Sequence, residues 1–393
     1  MPSHPSPAVP AHPWAALFLL CAAIFAVITT EVVPIGILPR VVGEFGLDES
    51  AGGLLVSLYA ALVAVTAVPL TRLTARLPRK PVLLATLVVF TLSNAVAALA
   101  GSFAWLVVAR AVGGMAHALF FALAIGYATR IAPPGSVGKA LALTTMGGSA
   151  GFILGVPAGT ALAEALSWRW TFGALALLTG AAFVVALVLL PAVEHSVEAS
   201  RVLVPGGGTL LLVAGLAGAA FLGHYTLYTY VSPLLLSAGL DASWLSVTLV
   251  VFGVAGLVAI RLVSGRLDRR PVRWLFVVPA AVGAGLLLMG VAATGSWLWG
   301  LLVIGALWVA AFAPINSVFQ NMLVRVGREN PEMSGAWINV MCNIGIGGGS
   351  ALGGVALGLG GYPLAAWVGC GVLVVALGVT WAGRARLRAV SGD

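Results

Sequence analysis

Apolar residues in this chain come in runs of about twenty, separated by short stretches that hold most of the charge and the turn-forming residues. Segments such as Val82 to Ala100 and Trp274 to Ala293 lack the period-two alternation of a barrel strand, so they predict helices. Punctuating at charge clusters and Pro/Gly turns gives twelve spans. In the first half they lie at 14–38, 50–71, 81–100, 104–130, 138–163 and 168–190. In the second they lie at 209–232, 243–264, 272–294, 297–322, 332–357 and 362–383. The polar stretch near the middle, 192–208, carries Glu194, His195, Glu198 and Arg201 and divides the chain. The expected architecture is an all-α integral membrane protein of two pseudo-symmetric six-helix bundles. Residues 1–200 form the first bundle with the start of a central cytoplasmic loop, and 201–393 form the second.

Composition points the same way. Of 393 residues, 61% are hydrophobic and only 8% charged, against about a quarter charged in soluble domains. This excludes an ordinary soluble protein. The net charge of +8 would suggest a nucleic-acid partner in a soluble chain, but here the positions of the charges matter more than their sum. With both termini in the cytoplasm, sixteen basic residues fall on cytoplasmic loops or ends: Arg72, Arg76, Arg79, Lys80, Arg130, Lys139, Arg201, Arg266, Arg269, Arg270, Arg273, Arg325, Arg328, Arg384, Arg386 and Arg388. Only Arg40 and Arg169 fall outside, and Arg110 and Arg261 lie within spans. Such a split follows the positive-inside rule and would be lost if one span were miscounted. The expected location is the plasma (cytoplasmic) membrane, multi-pass, with the bilayer as partner and no nucleic acid. Residues 1–13 contain no Lys or Arg, so the basic region of a signal peptide is missing and the first span is read as retained. Cys21, Cys342 and Cys370 all lie in apolar runs, implying neither a disulfide framework nor a CxxC metal site. No cofactor is expected, and the chain is read as a monomer.

The halves resemble each other at an offset of 190 residues. Arg76-Leu-Pro-Arg-Lys-Pro-Val82 matches Arg266-Leu-Asp-Arg-Arg-Pro-Val272, and Gly155 and Gly159 fall on Gly345 and Gly349. Internal repeats are a signature of secondary transporters, whose site lies near the midplane at the repeat interface. The competing explanation is chance combined with a shared positive-inside bias.

Eleven of the twelve acidic residues are placed in loops, at span ends or in the C-terminal tail; Glu31 alone is left inside a span. A carboxylate there costs about 2.5–3.5 kcal/mol on insertion scales and is by default a functional hypothesis. A cavity that alternately hydrates and dehydrates Glu31 would bind and release a proton. The alternative is a carboxylate that only pairs with a basic neighbour or holds span 1 in place. At 1.5 Å rise per residue, Glu31 lies ~7 Å outward of the middle of span 1 and Arg110 ~10 Å outward of the middle of span 4. Arg110 is therefore the expected neighbour, either coupled to the proton or serving as a structural hydrogen-bond hub.

Gly147, Gly151, Gly155 and Gly159 recur every four residues in span 5, as do Gly345, Gly349 and Gly353 in span 11. Such stripes let another backbone approach closely, and the sharper reading is that these seams slide when the halves rock. The Gly147-Gly148-Ser149-Ala150-Gly151 match to a hydrolase elbow sits mid-helix, without its strand-to-helix turn. No enzyme is expected. His117 lies seven residues beyond Arg110 on about the same face, and His224 lies among Tyr225, Tyr228 and Tyr230. Each lines a cavity, relays protons or is a satisfied interior histidine. Asn316, Asn339 and Asn343 read as interhelical hydrogen-bond glue or, less readily, as substrate contacts.

Thr29-Thr30-Glu31-Val32-Val33-Pro34 with Gly36 and Leu38, Arg110-Ala-Val-Gly113-Gly114, and Gly151-x-x-x-Gly155-Val-Pro157-Ala-Gly159 followed by Trp168-Arg169-x-Thr-Phe172 together carry a family resemblance. The chain resembles the major facilitator superfamily, in particular its twelve-helix drug/proton antiporter branch with sugar-efflux and chloramphenicol-efflux members. That likeness implies a role for Arg110 in proton coupling, and the span 5 motif tilts toward export. The family's loop 2/3 signature is degraded here. Arg76, Arg79 and Lys80 keep its basic residues but two glycines and the acid are missing, while the counterpart Gly265-Arg-Leu-Asp268-Arg269 keeps an acid. Arg79, Lys80 and Asp268, with Gly151, Gly155, Pro157, Gly159, Gly345, Gly349 and Gly353, are accordingly the expected gating or packing residues.

The reading that follows is a proton-coupled exporter of a small amphiphile working by alternating access. Glu31 and Arg110 handle the proton, and spans 1, 4, 7 and 10 line the cavity through His117, Phe120, Phe121, His224, Tyr225, Tyr228, Trp308, Phe312 and Asn316. Alternatives are an exporter of a polar metabolite such as a sugar, nucleoside or amino acid, and a non-transporting membrane sensor.

Overall fold

The computed structural model describes residues 12–193, 207–267, 269–326 and 331–391. Asp268 and most of the central polar segment lie outside the described residues. In the first half the helices are α1 (Pro13–Val32), α2 (Pro34–Phe45), α3 (Glu49–Gly52), α4 (Leu54–Leu73), α5 (Arg79–Ala98), α6 (Phe103–Ile131), α7 (Val137–Ala165) and α8 (Trp168–Leu189). The second half contains α9 (Gly207–Tyr228), α10 (Val231–Ser237), α11 (Leu245–Ser264), α12 (Pro271–Thr294), α13 (Leu298–Phe312), α14 (Ile315–Val326), α15 (Pro331–Ala382) and α16 (Arg384–Ser391).

Among the described residues, eleven helical segments are long and apolar enough to cross a membrane, and the last, Trp337–Ala382, has 46 residues. That is more than twice the length one crossing needs. The helical geometry is interrupted at Gly360 (φ −156°) and Gly361 (φ 70°), the second a left-handed conformation that glycine adopts without strain. The packing shows that the chain reverses there. Gly353 before the break and Gly369 after it both close on Thr226 of α9. Two antiparallel spans result, and the twelve expected from sequence are all present.

Span 2 is interrupted near its start, at Gly53 between α3 and α4, and three further spans read as continuous are broken. Span 1 divides at Val33 into α1 and α2, span 7 at Thr229–Tyr230 into α9 and α10, and span 10 at Ala313–Pro314 into α13 and α14. Pro34, Pro233 and Pro314 stand at these breaks, each removing the N–H that would bond the carbonyl four residues earlier. Span 1 also runs past the expected end at 38, through Pro39 to Phe45, and stops at Gly46 in the left-handed region (φ 62°).

The glycine stripes are helix-packing seams. A Cβ at Gly147 would overlap the Cys21 carbonyl, one at Gly155 the Thr29 side chain and one at Gly159 the Val33 side chain, so α7 lies directly on α1 and the start of α2. In the second half Gly345, Gly349 and Gly353 meet the backbone of Gly218, Leu222 and Thr226. Adding 190 to the Gly155–Thr29 contact gives 345 and 219, one residue from the observed Gly345–Gly218 contact, so the sequence repeat is also, within one residue, a packing repeat.

The halves meet along α4 with α15, α7 with α11, and α2 with α10. Pro157 cannot donate to Ile153, and Gly253 of α11 approaches that carbonyl so closely that a Cβ there would stand 2.8 Å from its oxygen. Several polar contacts join the halves at one end. Ser350 Oγ donates across the boundary to the Gly53 carbonyl (3.0 Å), and within the second half Tyr230 Oη donates to the Ser350 carbonyl (2.8 Å). Ser246 donates through its N–H (3.2 Å) and hydroxyl (2.8 Å) to the Glu164 carboxylate, and the Tyr362 hydroxyl donates to Glu49. This is the end that carries Arg40 and Arg169, away from the basic loops. There Arg169 bridges Glu44 (2.7 Å) and the Ala100 carbonyl (2.9 Å) within the first half.

Candidate functional site

Glu31 lies in the last turn of α1, two residues before the break, with 2% of its surface exposed. Arg110, in the first third of α6, is equally buried. The two are brought together, but through the main chain. Arg110 Nη2 donates to the Glu31 carbonyl (2.8 Å), Nη1 to the Thr30 carbonyl, and Nε to the Leu55 carbonyl of α4 (3.0 Å). The cause is local. Pro34 has no N–H, so the Thr30 carbonyl has no helical donor and takes one from the guanidinium. A cation at the carboxyl end of α1 also suits the helix dipole. The face of the guanidinium lies 4.1 Å from the Tyr59 ring centroid, a cation–π arrangement. Arg110 thus ties α1, α4 and α6 together and leaves the Glu31 carboxylate to other groups.

The imidazole of His117, two turns along α6, takes that place. Its Nδ1 is 3.8 Å from Glu31 Oε2 and 3.2 Å from Tyr59 Oη. Glu31 Oε1 and His117 Nε2 are buried without a hydrogen-bond partner. Buried polar atoms left unpaired cost about 1–3 kcal/mol each, and a cluster of them is a place for a proton, water or ligand atom. Around this group, Asn94 Nδ2 donates to Thr30 Oγ1 (3.3 Å), which in turn donates to the Ala26 carbonyl (2.8 Å). Glu31 also lies within electrostatic reach of Tyr225 and Cys342 across the boundary between halves.

On the other side of that boundary, α9 and α13 build an aromatic cluster on His224. Its ring stacks on Phe312 (centroids 3.6 Å, 3° between planes) and lies 4.7 Å from Tyr228 and 4.6 Å from Trp308. Tyr225 meets His224 edge-on at 5.4 Å. His224 Nδ1 and Trp308 Nε1 are buried and unpartnered, an unusual state for an indole N–H, which normally finds an acceptor when buried.

The remaining expected residues divide. Phe121 faces His117 at 5.8 Å. Phe120 does not join them; it packs edge-on against Phe90 (6.1 Å) in the interior of the first bundle, because successive helical residues point about 100° apart. Asn316 sits on the exposed side of α14, and Asn343 bonds back to Asn339 within α15 (3.0 Å). Lys80 Nζ donates to the Leu187 carbonyl (2.8 Å), a tie between α5 and α8 inside one half, while Arg79 is buried near Arg130. Asp268, the expected acid of the second half's loop motif, lies outside the described residues. Tyr59 and Asn94 were not singled out from sequence. Each is a polar side chain in an otherwise apolar run, which is the signal that marks them.

The sequence matches the Major Facilitator Superfamily model over residues 19–347. The chain belongs to the major facilitator superfamily. A probable sugar efflux transporter of Mannheimia succiniciproducens is 28% identical over 345 residues, covering 86% of this chain and 85% of that protein. A chloramphenicol efflux pump of Mycobacterium tuberculosis is 33% identical over 357 residues, with the same coverage. Among solved structures, a bacterial homologue of the human lysosomal transporter Spinster, captured inward-facing and occupied, superposes with TM-score 0.75 at 16% identity, covering 97% of each chain. The human organic anion transporter MFSD10 (TETRAN) superposes with TM-score 0.66 at 16% identity, covering 93% of this chain and 98% of that one. This member of the superfamily is a multi-pass membrane transporter and not an enzyme.

Proposed function

We propose that the protein is a proton-coupled antiporter that exports a small amphiphile by alternating access, with both termini in the cytoplasm and the bundles bounded at 1–200 and 201–393. The observation that carries this reading is the Glu31 carboxylate. It is buried at the boundary between halves, has one oxygen unpartnered and the other near an imidazole, and has the neighbouring arginine committed to main-chain carbonyls. Such a group binds a proton when the site is dry and releases it when the site is hydrated. His117 and Tyr59 form the route by which that proton leaves the carboxylate. With the orientation set by the basic loops, the sealed end faces outward, and the Ser350–Gly53 and Ser246–Glu164 contacts must part for export.

The aromatic cluster around His224, facing a region with one carboxylate and one arginine, supports a neutral or weakly charged amphiphile. One-for-one exchange of a neutral substrate against a proton draws about 2.3 kcal/mol per 100 mV of membrane potential, roughly a fiftyfold gradient. The second reading, export of a sugar or similar polar metabolite, is favoured by the sugar-efflux relative. A non-transporting sensor is favoured by no feature of the site. The test is proteoliposome transport under an imposed pH gradient, with drugs, sugars and nucleosides as substrates, for the native protein and Glu31→Gln. Loss of gradient-driven accumulation in the variant, with substrate binding kept, is expected. Unchanged proton-driven accumulation would end the assignment of Glu31, and transport that never moves protons would end the antiporter reading.

A further inference from the structure

At the basic end of the second bundle, away from the transport site, a cavity of about 540 Å³ is lined by Arg270, Val272, Arg273, Phe276, Val277 and Arg388. Its size is that of a small-molecule site. Three of the six described lining residues are arginines and three are apolar. The guanidinium fork is the side chain best matched to phosphate oxygens.

Two further observations tell which phosphate. The helix α16 is amphipathic, with Leu387 fully buried against the bundle while Arg386 and Arg388 are exposed. At the same level Trp274 bonds the Arg266 carbonyl (3.2 Å), and Arg384 lies over the ring of Trp381 (4.0 Å). Tryptophans among arginines at a bundle end mark the headgroup layer of a bilayer. Secondly, Arg273 heads one exposed face of α12 that continues through Val277, Ala280, Ala284, Leu288 and Val291, an unbroken apolar track at helical spacing. A free anion has no use for that track, whereas an acyl chain does.

We propose that this cavity holds the phosphate-bearing headgroup of an anionic phospholipid, with one acyl chain laid along the Arg273–Val291 face of α12. Basic pockets between helices on the cytoplasmic side are suited to such headgroups, and the site ties α16 to α12 from the lipid side.

The test uses the full-length protein in neutral detergent, with bound lipid counted by native mass spectrometry. The probes are phosphatidylglycerol, phosphatidylethanolamine and inorganic phosphate. Phosphatidylglycerol is expected to bind more tightly than phosphatidylethanolamine and to resist displacement by equimolar phosphate. Arg273→Gln and Arg388→Gln should each weaken it about fivefold, the worth of one basic residue near a lipid surface. Arg273→Lys should retain part of the affinity, and Arg72→Gln with Arg76→Gln, in the other bundle, should leave it unchanged. Size-exclusion profiles in the same detergent establish that each variant is folded. Equal binding of the two lipids, displacement by phosphate alone, or an equal loss in the Arg72/Arg76 variant would each overturn the proposal.

Discussion

The arrangement of Pro34 and Arg110 permits a test in which one substitution repairs what another breaks. In the native protein the Thr30 carbonyl is denied its helical donor by Pro34 and is bonded instead by Arg110 Nη1. Arg110→Leu leaves that carbonyl buried without a donor, at a cost of about 1–3 kcal/mol, in an interior where water offers no replacement. Loss of the bonds to Glu31 and Leu55 and of the Tyr59 contact adds to the effect. Pro34→Ala restores an N–H four residues after Thr30. In that background the orphaned carbonyl regains a donor, and Arg110→Leu should cost less by about 1–2 kcal/mol. The assay is a double-mutant cycle on reversible unfolding in mixed micelles, with the native protein, both single variants and the pair. A positive coupling of that size is expected. Additivity within about 0.5 kcal/mol would refute the idea that the proline creates the acceptor the arginine serves.

Three other substitutions examine separate parts of the molecule. His117→Phe keeps the ring against Tyr59 and Phe121 but removes both nitrogens. It should slow proton-coupled transport at least tenfold while leaving substrate binding near native, and a variant with native coupling would remove His117 from the proton route. Gly353→Ala places a Cβ against the Thr226 backbone, whereas Gly126→Ala meets nothing within 4 Å. The first should destabilise by about 1–3 kcal/mol through overpacking and the second stabilise by up to about 1 kcal/mol through helix propensity, opposite signs in the same unfolding assay. Ser246→Ala removes the hydroxyl bonded to Glu164 (2.8 Å) and, combined with Ser350→Ala, which removes the bond to the Gly53 carbonyl (3.0 Å), should shift the population toward an outward-open state. The readout is thiol labelling, from the outer face, of a cysteine placed at Ser57 in a cysteine-free background, and unchanged labelling would show that these contacts do not seal the outer end.

Much of this molecule was legible along the chain. Twelve apolar runs, the 190-residue repeat and the glycine stripes all appear in the structure with boundaries shifted by a few residues, because each depends on composition and spacing alone. Glu31 and Arg110 stood out for the same reason, as rare charges in apolar surroundings. Phe120 misled because two adjacent phenylalanines cannot share a helix face, and only packing shows which one turns inward. Tyr59 was passed over because a tyrosine in an apolar run is unremarkable until its hydroxyl is seen beside His117.

The sequence by itself determined that lipid is the solvent, how often the chain crosses it and which rare polar residues it carries inside. Those follow from transfer energies that act on one segment at a time. Only the tertiary structure decided that Arg110 serves the backbone exposed by Pro34 and that an imidazole, not the guanidinium, lies nearest the Glu31 carboxylate. Contacts of that kind depend on where broken helices from distant parts of the chain cross. A hydropathy pattern holds no record of those crossings, because the burial energy of a helix is nearly indifferent to which polar atom ends up beside which.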